Sequence, residues 1–242
     1  MKFIWASDTH TGRVRENNED AVHPQSDGYS TQPLLAAVAD GLGGARYGEV
    51  ASRIAIDTAV EARGRPWRRV RAANAAILET VLEQPQFVGM GTTLTLALLD
   101  PAGSIELGHV GDSRAYLLRD EEFRRLTVDH THVQEEIEAG RLTEEAARTH
   151  PQRSYLTRAL GFTQDLAVDI ERSDLRLGDR VLFCSDGLTS MLTDLRIADI
   201  LGDGPPSVTS WGLIEAANEA GGVDNVSVVV IAVTASTNPD DA

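Results

Sequence analysis

The sequence predicts an α+β fold in which antiparallel strands form the core and helices lie outside it. Residues 92–99 and 105–110 are rich in strand-forming residues, and a short turn around Pro101-Ala102-Gly103 separates them. Strands joined by so short a turn pair antiparallel, because a parallel pair needs a long crossover connection. Residues 47–84 carry two amphipathic helical stripes in succession, which indicates a helix pair packed on the core.

The first half of the chain predicts an early strand, a polar loop and a buried strand before the helices. Residues 2–6 predict the first strand, and residues 12–20 are polar and charged, without helical or strand periodicity. Asp27-Gly28 predicts a hairpin turn into the apolar, β-compatible strand at residues 34–39. Gly64-Arg65-Pro66 stops one helix and starts the next, so the two helices are expected to be antiparallel.

The second half predicts further strands and helices and an inserted segment. Residues 129–161 are polar and bear histidines, with helical pieces at 133–139 and 144–148, and are expected to form a flap. The other predicted elements are strands at 115–119, 168–170, 180–184 and 226–233 and helices at 195–201 and 211–220. Because neither a repeat nor a linker divides the chain, a single domain over residues 1–234 is expected, followed by a disordered tail at 235–242.

Composition argues against several classes of protein. A chain of 242 residues with 42% apolar residues can bury a large core within one domain. The net charge of −15 argues against nucleic acid as the main partner. Cys184 is the only cysteine, so no internal disulfide can form, and the sequence shows neither a signal-peptide pattern nor a membrane-spanning apolar run. A cytoplasmic monomer without membrane or nucleic-acid contacts is therefore expected.

Aspartates at strand ends provide a candidate metal site. The stretch Ala39-Asp40-Gly41-Leu42-Gly43-Gly44 follows a buried strand and precedes a helix. Its glycines permit a tight turn that brings carbonyls close to a ligand, and aspartate with a bare carbonyl suits Mg²⁺ or Mn²⁺. A tight turn that merely contains an aspartate is the alternative. The arrangement recurs at Asp112, Asp186 and Asp224, each beside glycine or asparagine, which favours the metal site.

Three other groups of residues each admit two interpretations. Arg15 precedes the acidic pair Glu19-Asp20 in the polar loop, where it can supply an anion clamp or belong to a solvated surface. Cys184 ends an apolar strand, so a small buried side chain is favoured over a nucleophile. Three histidines suggest zinc, but their loose spacing without cysteine favours surface or flap positions; they are His130, His132 and His150.

Seven short motifs, in order along the chain, resemble those of one known family. They are Arg15-Glu16-Asn17-Asn18-Glu19-Asp20, Asp40-Gly41-Leu42-Gly43-Gly44, Gly89-Met90-Gly91-Thr92-Thr93, Gly111-Asp112-Ser113-Arg114-Ala115-Tyr116, Leu126-Thr127-Val128-Asp129-His130, Ser185-Asp186-Gly187 and Asp224-Asn225. From about residue 5 to residue 233, the chain resembles the metal-dependent (type 2C) protein serine/threonine phosphatases in their compact bacterial form. Each motif alone is weak, whereas seven in the right order are strong evidence.

The resemblance implies an architecture and a metal centre. Two antiparallel sheets would pack face to face between helix pairs, in a four-layer αββα sandwich. The residues implied to hold two Mn²⁺ or Mg²⁺ ions are Asp40, Gly41 through its carbonyl, Asp186 and Asp224, with Glu19 and Asp20 beside them through water. Asp112 matches the acid that holds a third metal in bacterial members, and Arg15 matches the arginine that binds the substrate phosphate.

The implied activity is the hydrolysis of phosphoserine and phosphothreonine in proteins, which reverses the action of serine/threonine kinases. Two cations about 3.5–4 Å apart can lower the pKa of a bridging water and aim the resulting hydroxide in line at phosphorus. Many eukaryotic members have a histidine, proposed as the general acid, where this chain has Leu42, so the leaving-group acid stays open. Phosphoprotein substrates and a cognate kinase are the implied partners.

Two other functions compete with an active phosphatase. A pseudophosphatase would keep the fold as a regulatory binding module, but such proteins typically lose metal-site acids, which this chain retains. A phosphatase dedicated to a regulator, such as an anti-sigma-factor antagonist, usually carries a sensor domain, for which 242 residues leave no room. An active protein phosphatase is therefore favoured.

Overall fold

The fold is seen in a computed structural model that describes residues 1–42 and 47–236. Within these ranges the chain forms twelve strands and seven α-helices. The strands are β1 (Lys2–His10), β2 (Asp20–His23), β3 (Gly28–Ser30), β4 (Leu34–Leu42), β5 (Gly91–Thr92), β6 (Leu94–Asp100), β7 (Ser104–Val110), β8 (Arg114–Arg119), β9 (Glu122–Arg125), β10 (Asp169–Asp174), β11 (Arg180–Cys184) and β12 (Val226–Thr234). The helices are α1 (Tyr47–Glu61), α2 (Pro66–Glu83), α3 (His132–Glu138), α4 (Glu144–Arg148), α5 (Asp186–Thr189), α6 (Asp194–Gly202) and α7 (Pro206–Glu219). Gly43 and Gly44 of the predicted turn, and residues 237–242 of the predicted tail, lie outside the described residues.

The strands pair into two antiparallel sheets, as predicted. The first sheet has the order β3-β1-β12-β11-β8-β9, and the second has the order β10-β7-β6-β4-β2, with β5 paired to β4. The longest ladder joins the two ends of the chain, since β1 pairs with β12 from Lys2 opposite Thr234 to His10 opposite Val226. The first and last strands therefore lie side by side at the centre of one sheet.

Three hydrophobic clusters separate four layers, which confirms the αββα sandwich. The inner faces of the two sheets pack together through Phe3, Phe183 and Ile231 on one side and Ala36, Leu99 and Leu107 on the other. Helices α1 and α2 cover the outer face of the second sheet through residues such as Ile56 and Ile77. Helices α6 and α7 cover the first sheet through Ile197 and Leu213. Strand β12 is almost continuously apolar because both of its faces are buried.

One predicted turn is wrong, and three short strands lie outside the predicted elements. Asp27-Gly28 is not the turn of a hairpin, because the preceding strand β2 pairs with β4 and the following strand β3 pairs with β1. Gly28 lies against Trp5 instead, whose ring would be 2.6 Å from a Cβ at this position. The unpredicted strands β2, β3 and β9 have three or four residues each, too few to show a periodicity in the sequence.

The flap, residues 129–161, contains two short helices close to their predicted positions. Thr131 and Thr143 begin them as N-caps, since their hydroxyls accept from the backbone N–H groups of Gln134 and Ala146. The boundaries of a single domain and of an inserted flap stay predictions. No helix among the described residues combines the length and apolar character needed to cross a bilayer.

Candidate metal centre

Five aspartates from distant parts of the chain meet at one edge of the sandwich. Asp20 and Asp40 are register partners on β2 and β4 of the second sheet. Asp186 follows β11, and Asp224 precedes β12, so both stand at the ends of first-sheet strands. Asp112 lies in the connection that crosses from β7 in one sheet to β8 in the other. The predicted site residues that line one cavity of about 540 Å³ are Arg15, Glu19, Asp40, Gly41, Asp112, Asp186 and Asp224.

The backbone around Asp40 is fixed by two threonines and by close packing. Its N–H donates to Thr93 Oγ1, and its carbonyl accepts from Thr92 Oγ1, both at 2.9 Å. Gly41 follows in a space that excludes a side chain, because a Cβ there would lie 2.3 Å from the carbonyl oxygen of Gly48. The glycine after the aspartate is therefore needed for close approach of two backbone segments, a packing reason that the sequence did not reveal.

Burial and mutual repulsion raise the pKa values of four of these carboxyls, those of Asp20, Asp40, Asp112 and Asp186. Burial is the largest cause throughout, followed at Asp40 and Asp112 by the negative charges of neighbouring aspartates. The pKa of Asp186 is raised to about 6 by burial and by Asp224, against a hydrogen bond with Asp40. The pKa values of Asp40 and Asp112 are also raised well above the ordinary range. The metal-free site thus holds negative charge at a cost in free energy.

Within the described part of the chain, Asp20 has one carboxylate oxygen that is hydrogen-bonded and one that is not. Its Oδ2 accepts from the Ser185 hydroxyl at 2.7 Å, whereas Oδ1 is buried and has no hydrogen-bond partner among the described residues. Burial raises the pKa of Asp20 to about 7. A buried acceptor without a partner is uncommon in folded proteins and indicates a missing proton, water or cation.

Arg15 lies beside the acids, as predicted, but pairs with one of them. Its Nη2 donates to Asp224 Oδ2 at 2.7 Å, and 56% of its side chain is exposed. This hydrogen bond is the main cause that raises the pKa of Arg15, with Asp186 and Asp40 contributing through their charges. The guanidinium is thus at the cavity, with its exposed part free to meet an anion from solvent.

Asn225 holds the loop that carries Arg15 and Glu19, a role that the sequence did not reveal. Its Oδ1 accepts from the backbone N–H of Glu19, and its Nδ2 donates to the carbonyls of Thr11 and Asn17, each at 2.8 Å. The Asp224-Asn225 motif contained this residue, but its partners lie more than 200 residues away. No local pattern marks contacts of that kind.

The cysteine and two of the flap histidines are already engaged by burial or by hydrogen bonds. Cys184 is fully buried, and burial raises the pKa of its thiol to about 12, so it stays protonated. His130 Nδ1 accepts from the backbone N–H of Gly111 at 3.0 Å, and His150 Nδ1 accepts from that of Gln152 at 3.2 Å. Two of the three histidines proposed as zinc ligands therefore already use the lone pair at Nδ1.

The donor set fits hard divalent cations. Its oxygens come from carboxylates and backbone, which Mg²⁺ and Mn²⁺ accept, and a nearby cation would offset the repulsion that raises the pKa values. Within residues 1–42 and 47–236, no three His, Cys, Asp or Glu side chains are arranged so that they could bind one metal ion together. Two of the acids have other partners, since Arg15 donates to Asp224 and Ser185 donates to Asp20.

The fold and this site together are typical of the metal-dependent phosphatase class that has an αββα sandwich. Residues 9–209 match the family model of protein phosphatase 2C. The chain is 40% identical over 235 residues to the serine/threonine protein phosphatase PstP of Mycobacterium tuberculosis, covering 93% of this chain and 44% of PstP. It is 36% identical to the protein phosphatase PhpP of Streptococcus pneumoniae, covering 97% of both. The chain belongs to the protein phosphatase 2C family, as the seven motifs indicated.

Solved structures agree with this assignment. The M. tuberculosis phosphatase PstP superposes with a TM-score of 0.88 at 39% identity, covering 97% of this chain and all of that one. The catalytic domain of PstP in complex with two manganese ions gives a TM-score of 0.85 at 36% identity, with the same coverage. This chain spans less than half the length of the full PstP protein.

Proposed function

We propose that this chain hydrolyses phosphoserine and phosphothreonine in proteins at the edge of its β-sandwich. The observation that carries the proposal is the meeting of Asp40, Asp186, Asp224 and Arg15 at one cavity, from segments up to 209 residues apart. Membership of the protein phosphatase 2C family supports the reaction type. The proposed substrates are proteins phosphorylated by a cognate serine/threonine kinase. The proposed enzyme is cytoplasmic and monomeric.

The acids and one carbonyl are proposed to hold two Mn²⁺ or Mg²⁺ ions. Asp40, Asp186 and Asp224 would provide carboxylates, and Gly41 its carbonyl, with Glu19 and Asp20 beside them through water. When bound, such a pair supplies a water of lowered pKa and neutralises the charge of a phosphate dianion. The relative with two manganese ions supports this metal stoichiometry.

Arg15 is proposed to bind and orient the phosphate of the substrate. A guanidinium offers a planar fork of N–H donors that matches phosphate oxygens. Its bond to Asp224 is a surface contact with Arg15 more than half exposed, so its exchange for a phosphate costs little. Arg15 would thereby place the phosphate next to the carboxylates proposed to hold the cations. Its positive charge offsets the repulsion between the acidic cleft and a phosphate dianion.

Asp112 is proposed to hold a third cation. It lines the acidic cavity and also a second cavity of about 440 Å³ that extends beneath the flap, and Asp186 lines both. Leu42 offers no proton at the cleft, so the leaving alkoxide needs another source of one. The position of Asp112 between the two cavities supports it as the site of this proton source.

Substitution of the acids tests the proposal. Asp186→Ala and Asp224→Ala should each lower kcat on p-nitrophenyl phosphate by more than about 10³-fold at saturating Mn²⁺, because charge stabilisation is the largest part of such catalysis. EDTA should abolish the wild-type activity, and Mn²⁺ or Mg²⁺ should restore it. Asp199→Asn, on an exposed helix face, is the matched control. Unimpaired turnover by either alanine variant, or a folded wild type without Mn²⁺-dependent activity, contradicts the proposal; the latter is expected of a regulatory binding module.

A further inference from the structure

His130 is a buried residue that none of these roles uses. Only 1% of its side chain is exposed, and it lies at the start of the flap. Its Nδ1 accepts from the backbone N–H of Gly111 at 3.0 Å, and its own backbone N–H donates to the carbonyl of Gly111 at 2.8 Å. One histidine thus binds both polar groups of the residue that directly precedes Asp112.

Gly111 connects His130 to the residues around the acidic cavity. It has a φ of +113°, and a Cβ there would lie 2.5 Å from the side chain of Thr93, so it packs directly on that residue. The Thr93 hydroxyl accepts from the backbone N–H of Asp40 at 2.9 Å and lies 2.8 Å from Ser113 Oγ. The Asp112 turn and the strand end that carries Asp40 are therefore joined through one buried polar network.

His130 also contacts the far end of the flap. Its carbonyl accepts from the backbone N–H of Thr157 at 2.8 Å. Its Nε2 lies 3.2 Å from Asp169 Oδ2, and the other oxygen of Asp169 accepts from Arg158 at 2.6 Å. Both ends of the flap therefore meet at the same residue that binds Gly111.

The ring is suited to accept a hydrogen bond from Gly111. Burial lowers the pKa of His130, so the ring is neutral near pH 7 and one of its nitrogens has a free lone pair. The bond from Gly111 places that lone pair at Nδ1 and the proton at Nε2. Nε2 faces Asp169 Oδ2 at 3.2 Å, so the two ring nitrogens have separate partners and Nδ1 is the one that accepts from Gly111.

We infer that His130 is a positioning residue, which sets the Asp112 turn and ties it to both ends of the flap. Ordering of the flap by a bound phosphoprotein would then be transmitted through His130 to the position of Asp112. The inference rests on the proposed role of Asp112 in the reaction. It concerns this chain's own geometry and therefore has a consequence in the metal-free protein as well.

Three substitutions separate the acceptor from the bulk of the ring. His130→Leu removes the acceptor at similar volume, His130→Asn keeps an acceptor near the position of Nδ1, and His130→Gln moves the amide one carbon further from Gly111. His132→Gln is the control, because His132 is two residues along the flap and its side chain makes no hydrogen bond among the described residues. Amide hydrogen exchange of Gly111 in the metal-free protein is measured first. Values of kcat and KM on a phosphopeptide and on p-nitrophenyl phosphate at saturating Mn²⁺ follow.

The Gly111 amide should exchange about 5- to 150-fold faster in His130→Leu and His130→Gln, as the loss of a buried hydrogen bond allows. kcat on the phosphopeptide should fall by a similar factor, with less than about a threefold change on p-nitrophenyl phosphate, whose leaving group needs little help from an acid. His130→Asn should restore most of both, and His132→Gln should match wild type. If His130→Leu does not fold, the contrast of Asn with Gln decides. Equal exchange in Asn and Gln, or equal losses on both substrates, overturns the inference. Inactivity of the wild type would instead contradict the proposed function. In that case the hydrogen-exchange measurement alone still tests whether His130 positions Gly111.

Discussion

Asp20 places a carboxylate where a negative charge is costly in the metal-free protein. Its Oδ1 is buried without a partner in the described structure, and the pKa of Asp20 is raised to about 7. Asp20→Asn removes the charge at nearly constant size and keeps an oxygen that can accept from Ser185. The variant should therefore be more stable than wild type after treatment with EDTA.

Linkage gives the sign and size of this effect. The carboxyl has an ordinary pKa of 3.8 and a pKa of about 7 in the folded protein, so the folded state binds its proton more tightly. Wild-type stability should therefore fall as pH rises from about 4 to about 7, with a constant penalty above that range. A difference of about three pKa units corresponds to about 4 kcal/mol at pH 8 and to about 2 kcal/mol at pH 5.

Urea unfolding of the EDTA-treated proteins at pH 5, 6.5 and 8 measures this difference. The advantage of Asp20→Asn over wild type should grow with pH by about 2 kcal/mol across the series. Asp199→Asn, which is exposed, should follow wild type at every pH. Mn²⁺ at 100 times its Kd should return about 2.7 kcal/mol to wild type and less to Asp20→Asn. A pH-independent gap, or a metal-free wild type more stable than the variant at pH 8, would refute the reasoning.

Three further substitutions test the phosphate clamp, the loop and the third cation. Arg15→Ala should lower kcat/KM by about 10- to 150-fold, the value of a charge-assisted hydrogen bond, with partial recovery in Arg15→Lys; unchanged inhibition by inorganic phosphate would make Arg15 a surface residue. Asn225→Ala leaves one donor and two acceptors without partners, so urea unfolding should show a loss of about 2–5 kcal/mol, and Asn225→Asp should recover only the bond to Glu19. Asp112→Ala should keep two tight metals by calorimetry yet lose more turnover on phosphopeptide than on p-nitrophenyl phosphate, whereas equal losses would indicate a purely structural aspartate.

The parts of the fold that the sequence predicts are those with strong periodicity or local turn chemistry. Helices α1 and α2 follow from their apolar stripes and from Gly64-Arg65-Pro66 between them, and β11 and β12 from apolar runs that are buried on both faces. Strand β2 is different, because its Asp20-Ala21-Val22-His23 has one fully buried side chain and owes its conformation to pairing with β4. Such a strand is specified by its partner and not by its own residues.

The site shows the same division. An aspartate before a glycine at a strand end is a local signal, and it predicts Asp40 and Asp186 as site residues from the sequence alone; both line the acidic cavity. Asn225 and Ser185 gave no such signal, since each acts on a residue of the opposite sheet or its loop. The pairing of Arg15 with Asp224 was not predicted either, because 209 residues separate them. The sequence therefore predicts which acids belong to the site, whereas the topology of the fold determines which polar neighbours contact them.

The acids stand on both sides of the junction between the two sheets, so the proposed metal binding would be coupled to the folding of this edge. Asp20 and Asp40 belong to the second sheet, whereas Asp186 and Asp224 follow or precede strands of the first. The hydrogen bonds from Ser185 to Asp20 and from Glu19 N to Asn225 cross the junction, while the carboxylates repel one another across it. A cation held by these acids would offset that repulsion and draw the sheets together at the proposed site of the substrate phosphate. The proposed metal site would therefore be complete only when the sandwich edge is closed, and metal removal should loosen this edge before it affects the apolar core between the sheets.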